Sequence, residues 1–245
     1  MHRDDLRDLL IEAGREILAE EGLSRGTDKL TFKRVFDRIH AEHGLRVTNA
    51  SVIGRIWDNM DEYQSDVLAE ALKNDDQQAM EETLNAAAMA LDSADRSSRS
   101  GRTAAAIELC RVAGQAHIDG LIRSPKGNLY IGIRGIAISR LPEELGSPTS
   151  KSLLRAYEEF GRRWDFIFES AFEALGLRLR PGFTMRQLSI AAISLAEGCT
   201  IWDRVDPSST RQITRRIGSD GATQEWRLFS VGIEALLWQF TEWTE

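Results

Sequence analysis

No proline occurs before Pro125, so the first half of this 245-residue chain can run in long helices without a ring that interrupts the backbone ladder. The five prolines, Pro125, Pro142, Pro148, Pro181 and Pro207, all lie beyond that midpoint. Within the proline-free stretch the apolar residues recur at helical spacing. A first helix is expected over Arg3–Glu21, with Leu6, Leu10, Ala13 and Ile17 on one stripe and Gly22 where a left-handed cap belongs. Thr31 is a good N-cap for a second helix whose inner face carries Phe32, Val35, Phe36 and Ile39. Residues 43–47 read as a turn containing Gly44, and Thr48 or Asn49 caps a short third helix ending near Trp57.

From Asp61 to Leu91 there is neither glycine nor proline, so the spacing predicts one long helix or two with a kink near 73–76. Residues 92–103 form a polar Ser/Arg stretch expected to be a loop. Later helices are expected at about 103–123, 127–140, 149–176, 184–205 and 222–243. No alternating pattern of comparable length competes, so the fold class expected is all-α. The predicted architecture is a three-helix head over 1–60 followed by a larger helical domain over 61–245. Hydrophobic content of 42% suffices for a packed core.

Two of the last helices carry a second apolar stripe: Ile190, Ile193 and Ile201 in one, Val231, Ala235 and Trp238 in the other. A helix apolar on two sides is buried on two sides. Either a large monomeric core covers both, or the same pair from a second copy completes a four-helix homodimer interface, with Leu195, Trp202, Leu236 and Phe240 as contact residues.

Net charge is −7, yet between Leu23 and Trp57 seven Lys/Arg face three acids, so a basic head sits in an acidic chain. Projected at 100° per residue, the third helix turns Val52, Ile53, Ile56 and Trp57 inward and Ala50, Ser51, Gly54 and Arg55 outward. Small residues and one guanidinium suit a major groove: Arg55 and Ser51 for base edges or phosphates, the Ala50 methyl for thymine. An ordinary solvated helix has the same composition. Short helices joined by a tight glycine turn nevertheless make a helix-turn-helix, which reads double-stranded DNA.

Other classes find little support. Cys110 and Cys199 are distant from each other and read as buried, reduced thiols. His2, His40, His43 and His117 make no metal set, and the glycines of 127–135 sit in a helical context rather than a phosphate loop. Neither catalysis, nor a cofactor, nor a metal is expected. The charged N-terminus and the lack of a long uncharged apolar run predict a cytoplasmic protein without a membrane span.

The run Val52-Ile-Gly-Arg-Ile-Trp-Asp-Asn-Met-Asp-Glu-Tyr (52–63) resembles the tetracycline-repressor-like (TetR) family, with its third-helix aromatic, short break and acid-led fourth helix. Trp57 takes the place of the family's core Phe. The resemblance covers about sixty residues in motif and the rest in outline. Two departures stand out: Gly54 replaces the family's Tyr and Met60 its Lys, and the second helix with its turn is a few residues longer. Backbone anchoring then falls to Thr31, Lys33, Arg34, Arg46 and Arg55, beside Thr48, Asn49, Ala50, Ser51 and Gly54 at the groove.

The resemblance implies a dimeric repressor of a palindromic operator, released by a small-molecule effector held in the helical domain. Physically chosen lining candidates are His117, Tyr130, Arg134, Trp164, Phe168 and Trp202: polar groups on apolar stripes that need a partner, and large aromatic walls. The alternative is a helical interaction or small-molecule-binding protein with a degenerate DNA-binding head.

Overall fold

A computed structural model describes residues 2–21, 27, 29–73, 77–124, 131–132, 148–217 and 222–244. The chain divides into two compact units: Met1–Asp75 with Pro125–Phe160, and Asp76–Ser124 with Gly161–Glu245. The fold is all-α, as the periodicity predicts, with two small two-stranded sheets added.

The first unit contains α1 (Arg3–Glu21), α2 (Phe32–His43), α3 (Asn49–Val52) and α4 (Met60–Lys73). Its core joins Leu10 and Leu18 of α1, Val35 and Ile39 of α2, Val52, Trp57, and Tyr63 and Val67 of α4. The core therefore runs past residue 60 into α4. Tyr63 is fully buried and its hydroxyl donates to the Leu10 carbonyl at 2.8 Å. Gly14 makes that approach possible, because a Cβ there would meet Tyr63 Oη and the Val67 methyls. Arg38 ties α2 to α1 by bonding both Glu42 and Glu20. Thr31 caps α2, its Oγ1 accepting from the Arg34 N–H, and Gly44 closes it at φ +68°. Gly22, expected to close α1, lies outside the described residues.

The third helix differs from expectation. It is one turn long and ends at Val52; Ile53 is extended and Gly54 lies at φ +72°. The Gly54 N–H donates to the Trp57 carbonyl at 2.8 Å, so a turn rather than helical period returns Trp57 to the core. Ile53, expected inside, is 42% exposed. Trp57 is held by its Nε1–H donating to Asp66 at 2.8 Å, and Arg7 bonds the same carboxylate oxygen at 2.8 Å.

In the second unit α5 (Gln77–Ser93) packs along α6 (Arg99–Arg123), so part of the expected polar loop is already helix, capped by Ser98. Between α4 and α5, residues 74–76 lie outside the description. Next come α7 (Pro148–Leu175), which begins in the first unit, then β1 (Leu177–Leu179), α8 (Met185–Val205) and the short α9 (Pro207–Arg211). The expected helix over 222–243 is instead β3 (Ala222–Trp226), α10 (Leu228–Phe240) and β4 (Thr241–Trp243). β3 pairs antiparallel with β2 (Ile213–Ile217), and β4 with β1. Thr223 and Glu225 face out while Trp226 is buried, a period of two that excludes a helix. The Arg215 guanidinium lies 4.3 Å from the Trp226 ring centre and pairs with Glu234 of α10, fastening the hairpin to that helix.

Small residues let the helices of this unit approach closely. Gly114 of α6 faces Ser230 of α10, whose hydroxyl donates to the Arg111 carbonyl, and Gly232 of α10 admits Leu195 of α8. The predicted helix at 127–140 lies outside the described residues apart from 131–132.

Candidate functional site

The candidate DNA-contacting residues fall into two groups within the first unit. Thr31, Lys33 and Arg34 occupy the start of α2, all exposed. Thr31 is committed to capping, Lys33 pairs with Asp37 at 2.6 Å, and the Arg34 guanidinium donates to the Lys29 carbonyl at 3.4 Å. The second group is the segment 46–55. Arg46, Thr48, Asn49, Ala50, Gly54 and Arg55 are exposed, and Ser51 is half-buried. Ser51 accepts from the Thr48 N–H and donates to the Thr48 carbonyl, which locks the entry to α3.

Arg46 and Arg55 have no side-chain partner among the described residues. Arg38, by contrast, is spent on glutamates. The cations open to an external anion in this segment are therefore Arg46 and Arg55. Met60 packs against the core at the start of α4, so this position serves packing where a lysine would serve a phosphate. A tyrosine at position 54 would have to adopt the left-handed φ that glycine tolerates.

The second unit contains a cavity of about 250 Å³, open to solvent beside Leu84 and Phe166, whose wall is formed by α5, α6, α7 and α10. Of the proposed lining residues, His117, Trp164 and Phe168 are on its wall. Trp202 is not: its side chain is 60% exposed on α8. Tyr130 and Arg134 lie outside the described residues. Sequence reading missed Thr83, Cys110, Phe172 and Phe229, which also line the cavity. The signal for the last two was their place on amphipathic stripes, which marks core positions without saying that space is left beside them.

His117 is buried, with Nδ1 3.3 Å from the Thr83 hydroxyl and its ring edge-on to Trp164 at 4.9 Å. Burial pushes its imidazole down to about 4, so it is neutral at pH 7. Burial, with the charge of Glu234 as a smaller cause, pushes the Cys110 thiol up to about 12. Protonated at pH 7, it is a poor nucleophile.

The four residues expected at a dimer interface separate. Leu195 is half-buried against Gly232 of its own chain, and Leu236 is half-buried. Phe240 packs on Phe183 with ring centres 4.5 Å apart. Trp202 faces outward beside Ile201, with Ile190 and Val205 further along the same helix and also exposed. Ile193, placed by sequence on the second stripe, is buried. Of the two helices expected to pair across copies, α8 carries this outward apolar surface; Leu84 and Met89 of α5 and Phe166 of α7 are exposed as well. Among the described residues no helix is long and apolar enough to cross a membrane.

No family model matches the chain, and no curated protein matches it. Among solved structures it is similar to a protein from Rhodococcus sp. RHA1 described as a "putative transcriptional regulator". The TM-score is 0.55 over 95% of this chain and 94% of that chain, at 11% sequence identity, so the likeness is one of fold.

Proposed function

We propose that the protein is a cytoplasmic, ligand-responsive transcriptional regulator that acts as a homodimer, represses by binding a palindromic operator, and is not an enzyme. The observation that carries this reading is the pairing of two features in one chain. One unit exposes Arg46 and Arg55, free of acidic partners among the described residues, around a helix-turn-helix. The other holds an apolar cavity whose His117 is neutral. The likeness to the Rhodococcus protein, through its description, supports the same reading.

In this proposal Arg46 and Arg55 contact phosphates or a guanine edge, and Thr48, Asn49, Ala50 and Ser51 approach the groove. Thr31, Lys33 and Arg34 supply further backbone contacts. Two copies joined through the outward face of α8, with α10 alongside, would offer their α3 segments to successive major grooves about 34–36 Å apart. An effector that binds better to a conformer with another spacing releases the DNA, a coupling of about 1–3 kcal/mol.

One observation favours a second reading. Because α3 is a single turn, it has less surface to lay in a groove than a full recognition helix, and the chain could be a dimeric small-molecule-binding protein with a degenerate head. Sedimentation with DNA from upstream of the protein's own gene, at low and moderate salt, separates the two. A regulator shifts that DNA sequence-specifically, with affinity falling steeply as salt rises, and Arg55→Ala lowers the log–log salt slope by about 1. A dimer with no preference for that DNA over a scrambled duplex establishes the second reading and refutes the first.

A further inference from the structure

The cavity wall specifies the chemistry of its occupant, and this inference rests on the reading of that cavity as the effector site. No Asp, Glu, Lys or Arg lines it among the described residues. An ionised carboxylate or amine placed there would lose its hydration with no counter-charge to replace it. Aromatic rings dominate, with Trp164, Phe168, Phe172 and Phe229 on one wall system. Its volume of about 250 Å³ exceeds the roughly 150 Å³ apolar void that suffices for benzene, so a ring with a short substituent fits.

The polar groups on this wall are the Thr83 and Ser170 hydroxyls, the Cys110 thiol and the His117 imidazole; the Ser170 hydroxyl donates to the Phe166 carbonyl. His117 spends Nδ1 on Thr83, and its Nε2 has no hydrogen-bond partner among the described residues. A polar atom left without a protein partner on a cavity wall marks where a bound polar group completes it. Because imidazole is neutral here, Nε2 is a donor or an acceptor according to tautomer. A hydroxyl serves either tautomer.

We propose that the cavity takes an uncharged, mostly apolar ring compound carrying one hydroxyl group, its ring among Trp164, Phe168, Phe172 and Phe229 and its hydroxyl on His117 Nε2. Phenolic compounds are the simplest members of this class.

Calorimetric titration of the full chain at pH 7.5 with 4-ethylphenol, ethylbenzene and 4-ethylbenzoate tests this without DNA. The three probes share a shape and differ in the polar group. The phenol is expected to bind about 2- to 12-fold more tightly than ethylbenzene, the value of one net hydrogen bond. The benzoate is expected to bind roughly 100-fold more weakly than the phenol, or not at all. In His117→Phe, the preference for phenol over ethylbenzene should fall to about 1-fold.

Should that variant not fold, the three-probe ranking on the natural chain still decides. Benzoate binding as tightly as phenol, or none of the three binding, overturns the proposal, as does an unchanged phenol preference in folded His117→Phe. Phenol that binds as expected but leaves DNA bound supports the cavity chemistry while refuting the regulatory reading. DNA released by a charged compound, with no phenol binding, does the reverse.

Discussion

The buried imidazole of His117 makes a pH prediction whose size follows from its surroundings. In the unfolded chain a histidine takes up a proton near pH 6.5; in the folded chain burial holds the same group at about 4. Between those values the unfolded state binds more protons, so stability is fully present above pH 6.5 and is lost as pH falls toward 4. From pH 7.5 to pH 5 the linkage integral is about 2 kcal/mol. With a urea m-value of about 2 kcal/mol/M, the unfolding midpoint of the second unit should drop by about 1 M over that interval. Other groups titrate too, so the measurement is the difference in slope between the natural chain and His117→Phe, followed by a probe reporting on the second unit. Any fixed cost of the substitution cancels in that difference. Equal pH dependence in the two would show that His117 is not a buried neutral group, and the cavity chemistry argued from it would fall with it.

Tyr63→Phe removes the hydroxyl that donates to Leu10 and should destabilise the first unit by about 1 kcal/mol in a denaturant titration. Asp203 is held below the usual carboxylate range, first by the Arg211 guanidinium and then by the Thr210 hydroxyl. Its stabilisation is present above pH about 4 and lost as pH falls through its folded value. Thermal melts of Asp203→Asn should therefore lie below those of the natural chain at pH 7 and converge with them in acid. If α8 forms the proposed dimer interface, Trp202→Glu should sediment as a folded monomer, since this outward side chain bears little on the chain's own core. A dimer unaffected by Trp202→Glu or Ile201→Glu would place the interface elsewhere.

The first two helices were legible because each has a local cause. Apolar stripes set their inner faces, and Thr31 and Gly44 cap α2 through bonds made within a few residues. The third helix was not, because its period was extrapolated through Gly54. Val52 and Trp57 are both buried and Ile56 packs against the same core, as the projection requires, but the chain reaches Trp57 by a turn with a positive φ, and Ile53, Gly54 and Arg55 are exposed. The hairpin at 213–226 was overlooked for a related reason. Its strands are five residues each, and Gly-Ser-Asp-Gly at 218–221 is turn composition that a search for long helical stripes passes over.

Sequence reading named His117, Trp164 and Phe168, which stand on the cavity wall, but not the space left between them, and the reason bears on how its ligand is to be sought. A stripe identifies which residues face inward; whether they fill the interior depends on how large residues of one helix meet small ones of another. Here Ala87, Ala113, Gly114 and Ala171, on three different helices, stand around the rings of Trp164, Phe168 and Phe229. None of these alanines is distinctive in its own helix. Yet the same close approach of α6 to α10 that requires Gly114 beside Ser230 leaves room next to it. Enlarging the small residues is thus a more selective way to probe the cavity than truncating the aromatic ones. Ala113→Leu adds volume on the wall, whereas Trp164→Ala would remove a buried ring at a cost of about 3–5 kcal/mol and confound lost binding with lost folding.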